Sequence, residues 1–407
     1  MKAFWQFTKK GLVILAILLT VLLTLNWDKV SRLHAVITLF DKDLIVSNFS
    51  NMEQAFWTKK ISKSSQPHKF EYETKALPTD FSFQNEQIVV DEFLTRRATT
   101  ALLVLKNDNI TFEQYYLGTE ADDKRISWSM AKSFVSVLFG MQVDRGVIDI
   151  EQPVSFYLPE MKGSGYEQVK VKHVLQMSSG VKWDENYLDF NSDINKMGRL
   201  LALGGSLDEM TTQLESQSVA GEAFHYVSMD THVIAMILRR VSDHSLVGLV
   251  QKELWSKIGM EGDAAWITDS KDNAFALGGL NATTRDYARF GRLLLNNGRW
   301  QEEQLVSEKW LDEATTAGAE YLKSSHEKLG YGYQIWLPPL AQPGEFFCVG
   351  VYGQFIYVNQ QQGLVIVKNS ADKTFMDGYS KQETIAFFRA VADSLKQQSL
   401  AHHSLNR

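Results

Sequence analysis

The stretch SMAKSFVSVLFGMQV, residues 129–143, decides how this chain folds and where its chemistry sits. Ser129 and Lys132 stand three apart at its head, so on a helix they lie one turn apart on the same face. An amine held beside a hydroxyl is one way of turning serine into a nucleophile. Between Ala131 and Val143 the only polar residues are Lys132, Ser133, Ser136 and Gln142, which predicts a helix buried nearly all round. A lysine in such surroundings is costly unless it loses its proton or gains partners. Burial lowers a lysine pKa from about 10.4 toward neutrality, the range in which it can serve as a general base.

Two other Ser-x-x-Lys motifs occur, Ser179-Gly180-Val181-Lys182 and Ser325-His326-Glu327-Lys328. The first has no apolar helix behind it, and the second lies in a polar stretch that reads as a loop. Their plain reading is a solvated turn. Only Ser129 heads a buried helix.

Upstream of that helix, residues 99–105 and 110–117 are β-rich runs around an Asn/Asp turn, which predicts a hairpin. Gly146, after Arg145, closes the helix. From 147 to about 268 the pattern is mostly helical, and helical periodicity returns at 284–295. Residues 346–349, 354–358 and 363–367 are β-rich again, and a last helix spans about 381–397. Strands early and late with helices between predict an α/β (α+β) fold, its sheet closed by both ends of the chain around a helical insertion.

The chain has 407 residues, 44% apolar and 22% charged, which is globular composition with room for one large domain or two subdomains. A net charge of −6 without a long basic block argues against a nucleic-acid partner. The single cysteine, Cys348, excludes an intramolecular disulfide framework and a cysteine-rich zinc site. His225 and His232 lack a matching third ligand and read as ordinary histidines, so neither a metal nor a cofactor is expected. No Gly-x-Ser-x-Gly elbow, phosphate loop or dinucleotide fingerprint is present.

Lys2, Lys9 and Lys10 precede an uncharged run over 11–27, at the short end of what spans a bilayer. No small-x-small cleavage pattern follows it, and no cysteine is there to take a lipid. The expectation is that 1–27 is an uncleaved membrane anchor, with the remaining chain periplasmic or extracellular and Trp27 at the outer interface. A cleaved signal peptide is the alternative, and either one exports the catalytic part. Residues 28–85, mixed and polar, read as a spacer or cap. The catalytic domain is expected over 86–395, with a helical subdomain at about 147–268 and a polar tail over 396–407.

A serine–lysine pair needs a third group to pass the proton on, and a tyrosine hydroxyl can both donate and accept. Tyr226 and Ser228, two apart before an apolar helix, could point into one cleft; a buried structural tyrosine is the alternative. With Ser129-x-x-Lys132 and Tyr226-x-Ser228, four further segments stand in order: 174–180, 278–286, 330–336 and 350–358. Together they resemble the serine β-lactamase/penicillin-recognising superfamily, above all its class C-like esterases and the 6-aminohexanoate-dimer (nylon oligomer) hydrolases.

The resemblance implies a central antiparallel sheet flanked by helices, an all-helical subdomain, and a site between them. It implies Ser129 as the acylated nucleophile, Lys132 as its base and Tyr226 in the proton relay. It places the oxyanion hole at the backbone N–H groups of Ser129 and Val351, and substrate contacts at Tyr187, Ser228, Tyr352 and Gly353. Two departures matter. Where penicillin-binding enzymes carry Lys-Thr-Gly, this chain has Gly350-Val351-Tyr352-Gly353, so a β-lactam carboxylate loses an anchor worth about 1.5–3 kcal/mol. Ser228 stands where β-lactamases have asparagine. Both point to a small-molecule ester or amide as the substrate, cleaved through an acyl-enzyme. A D,D-peptidase or weak β-lactamase, and a catalytically silent cell-wall-binding module, are the competing expectations.

Overall fold

A computed structural model of the chain describes residues 2–25 and 27–405. Its main sheet has eight strands, in the order Gly330–Tyr331, Trp336–Leu337, Glu345–Gly350, Gln354–Asn359, Leu364–Ser370, Thr99–Lys106, Asn109–Tyr115 and Glu71–Tyr72. All neighbours are antiparallel except the last pair. The chain ends do close this sheet: Leu364–Ser370 pairs with Thr99–Lys106, Val367 opposite Leu103. Along these strands successive residues enter different cores, Val365 and Val367 on one face, Leu364 and Ile366 on the other. Both faces are covered, which is why the strands read as unbroken apolar runs.

On one face lies the helix Thr284–Leu295, where the absence of a side chain on Gly291 lets the helix close against Val365 and Ile356. Its Phe290 stacks on Phe134 of the helix Ala131–Asp144, ring centroids 3.6 Å apart. The opposite face is covered by the helices Val90–Arg96 and Ser380–Leu405, with Phe388 against Tyr357 and Phe355. The helix Ala131–Asp144 is thus sandwiched, and every residue from Ala131 to Gln142 is buried. Its serines do not cost stability there, because Ser133 and Ser136 donate to the carbonyls of Gln334 and Tyr333, each at 2.7 Å. Gly146, at φ 70°, ends it: the N–H of Gly146 bonds to Val143 O and that of Val147 to Gln142 O.

Between residues 147 and 263 the chain is largely short helices, of which Ser228–Ser242 is the longest. The predicted helical span ends too late, because Ala264–Thr268 is a strand. This fully buried strand belongs to a second, four-stranded sheet with Trp57–Ile61, Leu280–Ala282 and Arg125–Ile126. A five-residue apolar run carries no periodicity that separates helix from strand. Residues 28–85 are woven into both sheets through Trp57–Ile61 and Glu71–Tyr72, and Arg289 holds them by donating to the carbonyl of His68. At the other end, the expected polar tail from 396 is helix as far as Leu405.

The first helix runs Lys2–Leu25, and Leu12, Val13, Ile14, Leu15, Ile17 and Leu18 are exposed on it. Among the described residues no helix is long and apolar enough to cross a membrane. Met1 and Asn26, and the side chains of Lys2 and Lys9 on which the anchor reading draws, lie outside the described residues.

Candidate active site

Ser129 sits in a tight 3-10 turn, Trp128–Met130, at the mouth of the buried helix. Two sheets hold that turn. The N–H of Ser127 bonds to Leu280 O at 2.8 Å, tying it to the smaller sheet. From the larger one, the end of Glu345–Gly350 presses so closely that a Cβ on Gly350 would collide with Ser127 O and stand 3.2 Å from Ser129 N. Trp128 takes a left-handed φ of 45°, an unusual conformation for a bulky residue, which turns Ser129 toward open space. Neither the Ser129 nor the Val351 N–H has a backbone acceptor among the described residues.

One turn on, Lys132 is 1% exposed. Its Nζ donates to Ser228 Oγ at 3.3 Å and lies 5.4 Å from the centre of the Tyr226 ring. Burial brings its pKa down to about 7, against the opposing pull of the Glu185 and Asp230 carboxylates. Burial, and then the Glu185 charge, push the pKa of the Tyr226 hydroxyl up, and the neighbouring Ser129 hydroxyl pulls it part of the way back. Its ring is stacked with Trp336 and lies edge-on to Tyr331. Ser129, Lys132, Tyr226 and Ser228 therefore form one cluster.

Glu185 organises that cluster and was not singled out by the sequence. Its carboxylate accepts from Ser228 Oγ at 2.6 Å, from Ser228 N at 3.1 Å, from the Tyr187 hydroxyl and from the Trp183 indole. The available signal was the alternation Trp183-x-Glu185-x-Tyr187, which puts three polar-tipped residues on one side of an extended segment. Deeper in, Asp230 accepts from the Tyr166 hydroxyl at 2.8 Å, and burial lifts its pKa to about 8.

A cavity of about 490 Å³ opens in front of Ser129, and Ser228, Tyr187, Val351 and Tyr352 are on its wall. Tyr352, at φ 60°, stacks on Phe40 with centroids 5.1 Å apart. Gly353 does not reach the cavity; it faces Ser370 and Asp372 behind the strand. Part of the wall comes from the N-terminal segment, through Val36, Ile37, Leu39, Phe40 and Phe56. The other two Ser-x-x-Lys motifs are placed differently. Ser179 is buried but Lys182 is exposed, and Ser325 and Lys328 sit in an exposed turn. His225 bonds to Trp183 O and His232 to Asp208, each a local structural contact.

Residues 88–386 match the family described as Beta-lactamase. The chain is 30% identical to the 6-aminohexanoate-dimer hydrolase of Paenarthrobacter ureafaciens over 295 residues, 69% of this chain and 75% of that protein. Its fold is shared with a Bacillus anthracis protein assigned as a 6-aminohexanoate-dimer hydrolase, at a TM-score of 0.80 and 23% identity over 88% of this chain and 96% of that one. EstCE1, a hydrolase with promiscuous acyltransferase activity, is similar at a TM-score of 0.61 and 13% identity, over 74% of this chain and 96% of its own. The match over residues 88–386 runs through the serine–lysine helix, the tyrosine segment and the closing strands alike, so the chain belongs to the beta-lactamase family, as a serine hydrolase acting on ester or amide bonds.

Proposed function

We propose that Ser129 attacks the carbonyl carbon of an ester or amide and is acylated. Lys132, neutral in a large fraction of molecules near pH 7, accepts the Ser129 proton as the new C–O bond forms. The tetrahedral oxyanion is held by the N–H groups of Ser129 and Val351, where each pre-placed donor contributes on the order of 3 kcal/mol. When the bond to the leaving group breaks, Tyr226 gives the leaving alcohol or amine its proton and is reprotonated from Lys132. Water then releases the acid from Ser129 by the same relay in reverse. Tyr187, Ser228 and Tyr352 contact the substrate.

The observation that carries this reading is the wholly buried Lys132, its pKa near 7, one turn from a serine that faces a cavity. A buried lysine is costly to keep, and this one stands one turn from a serine that lines the cavity. β-Lactam hydrolysis is disfavoured, because Gly350-Val351-Tyr352-Gly353 puts no cation where penicillin-binding enzymes carry Lys-Thr-Gly, and the one cation lining the cavity, Arg199, already donates to the Phe190 carbonyl at 2.7 Å. The test is intact-protein mass after incubation with activated esters and amides. Ser129 should carry the acyl group, and Ser129→Ala should abolish p-nitrophenyl ester hydrolysis with little change in melting temperature. Loss of activity in Ser179→Ala or Ser325→Ala instead would point to a different nucleophile.

The anchored, exported setting belongs to the same proposal. It is supported by the lysines ahead of an apolar run on which Leu12, Ile14, Leu15, Ile17 and Leu18 are exposed. Fractionation should recover the full-length chain with membranes. A mature N-terminus near residue 26–30 would indicate a cleaved signal instead.

A further inference from the structure

We infer that the cavity in front of Ser129 holds an uncharged, apolar acyl chain of medium length, so that the substrates are medium-chain acyl esters or amides; this rests on the hydrolase reading above. Beside the N-terminal segment the wall is made by Leu188, Phe190, Ile194, Met197 and Leu201, together with Ile267, Phe275 and Leu277. The only charged side chain on the wall, Arg199, lies with its guanidinium 3.9 Å over the Phe190 ring and donates to the Phe190 carbonyl. No carboxylate is on the wall to pair with a cation, and burying one unpaired is costly. The volume is that of a small-molecule site.

The orientation of the substrate follows from Tyr226. It is no part of the cavity wall, because it packs on the other side of the nucleophile against Phe224, Tyr331 and Trp336. The leaving group must depart past the hydroxyl that protonates it. The cavity therefore takes the group that stays bonded to Ser129 Oγ, the acyl group. The apolar lining also continues outward. Ile37 is 70% exposed, Leu188 81% and Phe190 69%, and all three line the cavity as well, so the rim suits a chain that enters end-on. Much of this wall is supplied by residues 36–56, which precede the region matched to the family.

The experiment is a series of p-nitrophenyl esters from acetate to decanoate, each below its micelle concentration, with 6-aminohexanoate beside hexanoate. Each added methylene should raise kcat/KM about fourfold until the cavity is full. The 6-aminohexanoyl ester, equal in length but cationic, should be the poorer substrate by about tenfold or more. Ile37→Asp and Leu188→Asp, both at exposed rim positions that leave the fold unthreatened, should lower the octanoate-to-acetate ratio. A flat or falling series with acetate still hydrolysed, or a 6-aminohexanoyl ester as good as hexanoyl, overturns the acyl assignment and leaves the hydrolase standing. If no ester is turned over and Ser129 is never acylated, the hydrolase reading fails and takes this inference with it.

Discussion

Glu185 is the residue through which the site is tuned. Its negative charge raises the pKa of Lys132 while burial lowers it, and burial wins. In Glu185→Gln the amide oxygen can still accept from Ser228, but the charge is gone. The Lys132 pKa should fall further, so the limb of kcat/KM that rises with pH as Lys132 deprotonates should move to lower pH. A limb that stays in place would detach Glu185 from Lys132. Lys132→Arg should fail as badly as Lys132→Ala in steady-state assays, by about 10²–10⁴-fold, since arginine keeps the charge and cannot give up its proton. Ser129 and Lys132 were legible because their spacing and apolar setting carry the chemistry on their own. Tyr226 took its meaning from the segments that frame it. Glu185 lay in a loop, where a carboxylate reads as solvated, and only the folded loop turns it toward Ser228.

Among the elements, the strand Glu345–Gly350 and the turn Trp128–Met130 act as one part. Gly350 is needed for their close approach, since any side chain there would push on Ser127 O and the Ser129 N–H. Gly350→Ala should therefore cut kcat strongly, by about 10²-fold if one oxyanion donor is misplaced. It should cost only about 1–3 kcal/mol of stability, the usual effect of overpacking. Melting temperature and kcat measured together check this; an active but unstable variant would contradict it. Strands 354–359 and 364–370 could be read from sequence because both faces are buried and the apolar run is unbroken. Ala264–Thr268 could not, because its identity is fixed by its partner Trp57–Ile61, two hundred residues away.

For the whole molecule, the consequence lies at the N-terminus. The sequence of residues 28–61 is mixed and polar enough to pass for a spacer, yet Leu39, Ile45, Phe49, Met52 and Phe56 are buried there in one core with Trp183 and Ile267. Removing residues 1–26 should leave a folded, active enzyme. Removing residues 1–61 should expose that core and the edge of Ala264–Thr268, giving an aggregating, inactive product by size-exclusion chromatography and ester assay.

That arrangement also sets an order of events at birth. The strand Trp57–Ile61 leaves the ribosome first and must wait for Ala264–Thr268, about 200 residues later. At a synthesis rate of about 5–20 residues per second, the wait is roughly 10–40 s. During it the apolar lining of the future cavity has nothing to cover it. A strand made early is thus kept waiting for its partner, and a nascent chain interrupted before residue 264 carries that strand unpaired near its leading end.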